Sequence, residues 1–373
     1  MLRPSVADIA FDAALFDALR GALARGELSP TRSRLSAPPR PLDERALLDL
    51  TQADGARWRA RGEAALAERK VAALILNGGM ATRFGGVVKG VVPVLPDRPD
   101  LSFLAVKLAG VRAAGVPAVV MHSFATAAAS ADHLATLGWS GVPAGDRLEF
   151  LQSLMPRVLP DGTPLLSLPG ADALPDTTVY AAPGHGDTLR RVRDSGVVAE
   201  LRARGVEHVL VSNVDNLGAS LDPTVLGAHL EAVAGGAELS VEVVPRAPDD
   251  AGGCVADVDG RAVIVESFRL PPGTALSRYP HFNTNTLWIS LGALERTHPL
   301  TWFPVERSVE WPGREDMSVI QFEQLIGQLT EFANTACLLV DRRRFLPIKT
   351  RADLAAARPA MAAIVRDVGL DPG

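Results

Sequence analysis

From Val71 onward, short apolar runs alternate with helix-like stretches, and this rhythm restricts the fold more than any other feature. "VAALIL" ends in glycine, "PAVVMHSF" follows the helical "LAVKLAGVRAAG", and "VEHVLVSN" follows "TLRRVRDSGVVAELRARG". Parallel strands need long crossovers, usually helices, so the alternation predicts an α/β core: a mostly parallel sheet with helices on both faces. "GAELSVEVVP", "GGCVADVDGRAVIVESF", "HFNTNTLWISLGAL" and "RRRFLPIKTRADL" complete it. Asp259-Gly260 between two β-rich runs predicts a hairpin turn. Residues 1–69 read differently. "SVADIAFDAALFDALRGALARGEL" and "DERALLDLTQADGARWRARGEAALAERK" carry helical spacing, separated by a Pro- and Ser-rich break. The expected organisation is a helical segment over 1–69 capping a core that runs from 70 to 373.

The totals narrow the class of function. Of 373 residues, 47% are hydrophobic, enough for a large core and too many for disorder. The net charge of −5 and the lack of a basic tract argue against a nucleic-acid polymer as partner. A mononucleotide, which needs only a few local cations, stays compatible. No apolar run reaches the length of a membrane span, and the N-terminus lacks a signal-type apolar run. Two cysteines, Cys254 and Cys337, have no metal-like spacing and read as reduced, buried thiols. A cytoplasmic protein is expected.

The chemistry concentrates first in "LILNGGMATRFGGVVKG". Gly78, Gly79, Gly85 and Gly86 let backbone amides approach an anion at the carboxyl end of a buried strand, the usual ligand side of an open α/β sheet. Arg83 and Lys89 add positive charge suited to a polyphosphate. The spacing fits neither the dinucleotide fingerprint nor the P-loop, whose lysine would fall at Val91. "APGHGDTLRRVRDSG" is a second glycine loop before a helix, with Asp187 or Thr188 available as its cap. In "VLVSNVDNLGASLDP", Asp215 falls just past a strand's carboxyl end, where a carboxylate can serve Mg²⁺ together with phosphate oxygens.

These stretches, in this order, resemble the UTP–glucose-1-phosphate uridylyltransferase (UDP-glucose pyrophosphorylase) family of sugar nucleotidyltransferases. The resemblance covers about residues 70–355. The opening loop is similar to G-G-x-G-T-R with a later lysine. "FLQSLMPRV" resembles Q-x-x-x-P-R, "APGHGD" resembles P-P-G-H-G-D, and "SNVDNLGA" resembles S-N-x-D-N-L-G-A. "FNTNTLW" and "RFLPIKTRADL" are similar to F-N-T-N-N-L-W and R-F-L-P-V-K-T-x-x-D-L.

The resemblance implies a Rossmann-like nucleotidyltransferase (GT-A-like) mixed sheet, and synthesis of UDP-glucose and pyrophosphate from UTP and glucose 1-phosphate. It implies Mg²⁺ on Asp215, uracil recognition by Gln152 and the Gly184 backbone, and catalytic cations or donors at Arg83, Lys89, His185 and Lys349. Gly78 and Gly79 would line the nucleotide; Asn213, grouped with them, and Asn216 would orient the ligand or merely build the turn; Gly252, Gly253, Glu266, Asn283 and Asn285 would meet the sugar; Phe282, Leu287 and Trp288 would be core. The family commonly has Asn where this chain has His122, which receives no role. Arg342, Arg343 and Arg344 read as a solvated face.

The chain departs from the family pattern at Met80 and Ala81 in the loop and in the Arg83–Lys89 spacing, and the C-terminal β-helix of many family members is expected to be missing. A monomer or weak dimer is therefore expected. If residue 81 required a positive φ, Ala81 would cost roughly 1 kcal/mol or more. The alternatives are a pyrophosphorylase for N-acetylglucosamine 1-phosphate or a broader set of sugars, and a non-catalytic nucleotide-sugar binding protein.

Overall fold

The computed structural model describes residues 3–52, 55–81, 86–250, 252–313, 315–348 and 350–371, with Met80 and Ala81 described in backbone only. Among the described residues eleven strands belong to one mixed sheet, ten of them longer than two residues. In chain order these ten are β1 (Leu47–Asp49), β2 (Val71–Asn77), β3 (Ala118–His122), β4 (Arg147–Leu151), β5 (His208–Asn213), β6 (Leu239–Pro245), β7 (Cys254–Val258), β8 (Arg261–Val265), β9 (His281–Ser290) and β10 (Thr335–Leu339). The spine runs β1-β10-β6-β9-β5-β2-β3-β4. Along it, β9 is antiparallel to β5 and β6, and the other neighbours are parallel. The β7–β8 hairpin extends the sheet from β9 and turns at Asp259-Gly260, both with positive φ (51° and 81°), as the sequence predicts.

β2 is buried along its whole length, which explains its continuous apolar run. Its side chains alternate between two cores. Leu74 and Leu76 pack with Leu189, Val192 and Val198 from helices Thr188–Asp194 and Val197–Ala203. Ala73 and Ile75 pack with Phe103, Leu104, Leu134 and Met361 from helices Phe103–Ala114, Ala127–Leu137 and Arg358–Asp367. From β2 the chain steps outward through β3 to β4, while β5 lies on its other side. The order reverses at β2, so the loops after β2 and β5 flank a crevice at the carboxyl edge, where open α/β sheets bind ligands.

The first 69 residues contain two long helices, Ala13–Ala24 and Ala56–Ala67. The second is shorter than its periodicity predicts: Leu47–Asp49 instead forms β1, pairing Leu47 with Cys337 at the sheet edge. Arg40–Pro41 also pairs, with β7. Here an available sheet edge overrides a weak helical pattern. Among the described residues no helix is long and apolar enough to cross a membrane.

Helix Ala56–Ala67 packs on helix Pro223–Ala234 through reciprocal glycines. A Cβ on Gly62 would lie 1.9 Å from the Pro223 carbonyl oxygen, and one on Gly227 would lie 1.8 Å from that of Trp58. Asp222 caps the partner helix by accepting from the amides of Thr224 (2.7 Å) and Val225 (3.1 Å). Gly227→Ala should destabilise the chain by roughly 3 kcal/mol, because backbone overpacking exceeds the gain of about 1 kcal/mol in helix propensity. Urea unfolding would measure it, and an unchanged midpoint would refute the packing argument.

A buried polar chain crosses the far end of the sheet. His208 Nδ1 meets His229 Nε2 at 3.0 Å, and His229 Nδ1 meets Ser240 Oγ at 2.9 Å. Burial pulls His208 down to about 4 and His229 well below its ordinary value. Both are neutral in the fold, whereas unfolded histidines protonate below about 6.5. The resulting stability is complete above pH 6.5 and is lost as pH falls toward 4, on the order of 3 kcal/mol for His208. Urea unfolding from pH 7.5 to 4 should show this fall, and His208→Gln should make it shallower. Equal slopes would exclude the histidine as its origin.

Candidate active site

At the carboxyl end of β2 the sheet opens into the glycine loop. Asn77 is buried, and its amide donates to Ser130 Oγ (2.8 Å) and lies 3.2 Å from His122 Nδ1. The other His122 nitrogen faces Glu149 at 3.3 Å, so His122 is a buried support for the strand end. Met80–Ala81 pairs antiparallel with Val87–Val88. Ala81 is thus on an extended backbone that any residue adopts, and its departure from the family glycine carries no left-handed strain. Arg83 and Gly85 lie outside the described residues, as does Lys349.

Gly78, Gln152 and Gly184 meet. Gln152 follows β4, is 3% exposed, and donates from Nε2 to the Gly184 carbonyl at 2.7 Å. Its Oε1 rests on Gly78, where a Cβ would stand 2.1 Å away. Ser123 Oγ secures Gly78 by donating to its carbonyl (2.8 Å). Gly184 has φ +76°, and a Cβ there would lie 2.4 Å from the Gln324 carbonyl oxygen, so both conformation and space require glycine. A Cβ on Gly79, by contrast, would meet nothing within 4 Å among the described residues.

The second glycine loop is held differently from the sequence expectation. Neither Asp187 nor Thr188 caps the helix Thr188–Asp194 through its side chain. Asp187 is fully buried and accepts from the Ser153 amide (2.7 Å) and hydroxyl (3.1 Å) and from Arg190 (3.2 Å). It therefore ties this loop to the segment that carries Gln152. Burial raises its pKa despite these donors. His185 Nδ1 accepts from the Ile326 amide at 3.0 Å. The residue is half-buried, and burial lowers its pKa to about 4. The imidazole is neutral near pH 7, and with Nδ1 accepting, Nε2 carries the hydrogen and is the donor.

The turn after β5 carries Asp215. Its carboxylate pairs with Lys89, and both side chains are largely buried. Asn213 accepts from Asn285 Nδ2 (3.0 Å), and Asn283 Oδ1 accepts from the Asn285 amide (3.0 Å). Asn285 holds φ +55°, a conformation Asn tolerates better than most residues. The Asn283 amide in turn donates to the Gly253 carbonyl (3.2 Å), and a Cβ on Gly253 would lie 3.1 Å from the Glu266 carboxylate. Burial raises the Glu266 pKa, opposed by Arg269 and the Gly253 amide. Polar contacts therefore link Asn213 to Asn285, Asn283 and Gly253, beside Glu266, and the turn that carries Asn213 also carries Asp215 with its partner Lys89. Gly252 packs on Phe282, which is buried with Leu287 and Trp288.

Beneath these residues lie further supports, of which the sequence reading weighs only Asn216 as such. Asn216 Oδ1 accepts from the Leu346 amide (3.0 Å), and Asn216 bridges to Pro347, fastening the Asp215 turn to the strand-like segment before Lys349. Of the arginine run, Arg343 is a solvated side chain and Arg342 is partly solvated. Arg344 is largely buried and pairs bidentately with the buried Glu242 at 2.7 and 2.7 Å, while Arg342 pairs with Asp250. The apolar environment of Glu242, Glu-in-"LSVEVV", is the available signal. Lys107, a lone cation in "FLAVKLAG", is another.

The chain matches the family described as UTP–glucose-1-phosphate uridylyltransferase over residues 38–366. It belongs to that family. It is 34% identical over 304 residues to a probable UTP–glucose-1-phosphate uridylyltransferase of Schizosaccharomyces pombe, a match covering 76% of this chain and 58% of the relative. It thus spans about three-fifths of the length of the curated relatives it matches. Among solved structures, a UDP-glucose phosphorylase of Trypanosoma brucei superposes with TM-score 0.75 at 26% identity, covering 94% of this chain and 76% of that one. A mutant UDP-glucose pyrophosphorylase of Leishmania major in complex with UDP-glucose gives TM-score 0.72 at 27% identity over 91% and 74%. The sequence expectation of an α/β nucleotidyltransferase fold with helices on both faces holds.

No group of three or more His, Cys, Asp or Glu among the described residues forms a metal cage. The Asp215 carboxylate, already balanced by an ammonium, fits an ion that takes one carboxylate and completes its shell with phosphate oxygens and water. A double-mutant cycle tests the Gly78–Gln152 contact. Gly78→Ala should displace the Gln152 amide from Gly184 and cost about 1 kcal/mol, the worth of one hydrogen bond. In a Gln152→Ala background the same change should cost nothing, as judged by urea unfolding; additive costs would show the two residues to be independent.

Proposed function

We propose that the chain is a reversible uridylyltransferase that forms UDP-glucose and pyrophosphate from UTP and glucose 1-phosphate. The observation that carries this reading is the joining of Gly78, Gln152 and Gly184 in one contact, beside the Lys89–Asp215 pair, in a member of this family. An oxygen of the sugar phosphate attacks the α-phosphorus of UTP, and the bond to the bridging oxygen of the β-phosphate breaks as pyrophosphate leaves. No covalent enzyme intermediate is involved, so the residues act by positioning and charge.

Gln152 presents a donor and an acceptor to the imide edge of uracil. The Nε2–H of neutral His185 donates to a phosphate oxygen without adding charge. Lys89, Arg83 and Lys349 balance the phosphates. Glu266, Asn283 and Asn285 accept and donate to sugar hydroxyls, a role supported by the bond from Asn285 to Asn213, two residues before Asp215 in the same turn. Asp215 would hold Mg²⁺, which supplies charge neutralisation at the phosphates. The proposed assembly is a monomer or a weak dimer. A cytoplasmic location agrees with Cys254 and Cys337 being free and buried, their thiols pushed up to about 12 by burial.

The test is pyrophosphate release from UTP and glucose 1-phosphate with Mg²⁺, alongside wells containing N-acetylglucosamine 1-phosphate, galactose 1-phosphate or TTP. Release should require UTP and glucose 1-phosphate and fall by about 10²–10³ in Asp215→Ala, if the loss resembles that of an oxyanion donor. Faster release with another sugar would move the substrate. Silence in every well, with UDP-glucose still bound, would make the chain a binding protein and overturn the proposal.

A further inference from the structure

Lys107 sits in the middle of helix Phe103–Ala114, whose residues 103–109 are all buried. Its own exposure is 8%. The ammonium donates to Ser212 Oγ at 3.0 Å and to the Ala219 carbonyl at 2.6 Å. Ser212 is the last residue but one of β5, and Ala219 closes the turn that follows: the Asn216 amide donates to the Asn213 carbonyl (3.2 Å) and the Ala219 amide to the Asn216 carbonyl (3.3 Å). One buried cation thus bonds both the entrance and the exit of the turn that carries Asp215. The other fastenings come from different directions, through Asn285 to Asn213 and through Leu346 and Thr286 to Asn216.

A core position of this kind favours an apolar side chain on packing grounds alone. Burial pulls the Lys107 pKa down to about 7, with Arg344 acting in the same sense and Asp215 and Glu242 opposing it. Replacing a buried charge by an apolar group of similar volume is often neutral or stabilising, so the cation needs a reason beyond stability. The two hydrogen bonds provide one. We propose that Lys107 is a positioning residue that clamps the two ends of the Asp215 turn and so keeps the Asp215 carboxylate where it meets its cation. The clamp itself is independent of the reaction assigned above; its consequence for metal use rests on that reading.

Lys107→Met keeps the length of the side chain and removes the donors. Amide hydrogen exchange in the full chain should rise about 10- to 100-fold within residues 213–219, the effect expected from losing two hydrogen bonds, while exchange in β3 is unchanged. The half-saturating Mg²⁺ concentration for pyrophosphate release should rise about 10-fold, with that for glucose 1-phosphate unaltered, a split that general loss of stability would not produce. Unchanged exchange over 213–219 in a folded Lys107→Met chain would overturn the proposal. If that variant does not fold, Ser212→Ala removes one of the two contacts and should give a smaller rise over the same residues; no rise there would also overturn it. Absence of turnover in the unaltered chain would refute the uridylyltransferase reading alone and leave the exchange result decisive for the clamp.

Discussion

The parallel pairing of β2 with β5 is the contact on which the rest of the site depends. Six residues of β5, His208 to Asn213, run in register beside Val71 to Leu76. Both strands therefore end at the same edge, one opening into Asn77 and Gly78 and the other into Asn213 and Asp215. Side chains from segments more than 120 residues apart meet there, as Lys89 and Asp215 do. Because β3 and β4 lie to one side and β9 and β6 to the other, each further component arrives by a short step across this edge. Gln152 follows β4, and Asn283 and Asn285 come from the antiparallel β9.

Around that edge, polar groups are held by a second layer that is almost wholly buried. Glu242 is the clearest case. It accepts from Arg344 on both oxygens and from Trp288 Nε1 at 2.9 Å, and Arg344 reaches on to the Ser220 carbonyl at 3.0 Å. A buried carboxylate is tolerated only with such complete pairing. The arrangement couples β6, β9, the Asp215 turn and the segment leading to Lys349. Lys107 and Asp187 do the same for their own loops. Precision at the site thus comes from satisfied hydrogen bonds beneath it, together with the burial of Val214, Leu217 and Ala219 in the Asp215 turn.

The sequence made the central strands legible for a physical reason: strands buried on both faces are unbroken apolar runs, and β2, β3 and β5 are of that kind. The Asp259-Gly260 turn was legible because its backbone needs positive φ at both positions. β1 and the Arg40–Pro41 bridge were not, being two or three residues long and paired to strands some 200 residues and more away. The hairpin of Phe303–Val309 with Met317–Glu323 was missed because most of its first strand is solvated and shows no clean alternation. At the site, Gly78, Gln152, Gly184 and Asp215 were found as separate motifs, but their contacts are tertiary. Asp187 was misjudged as a cap because its true partner, Ser153, is 34 residues away and only the fold brings it near.

The Lys89–Asp215 pair bears on the order in which ligands arrive. Each charge in this partly buried place is the other's counterion. A free polyphosphate drawing Lys89 away would strand the carboxylate, and a free divalent ion taking Asp215 would strand the ammonium; either unpaired charge is costly where water is scarce. A nucleotide that already carries its metal offers both partners at once, an anion for the lysine and a cation for the aspartate. Under the uridylyltransferase reading, the geometry favours entry of the pre-formed metal–nucleotide complex over stepwise addition, so the pair acts as a filter on the state of the substrate and not only on its identity.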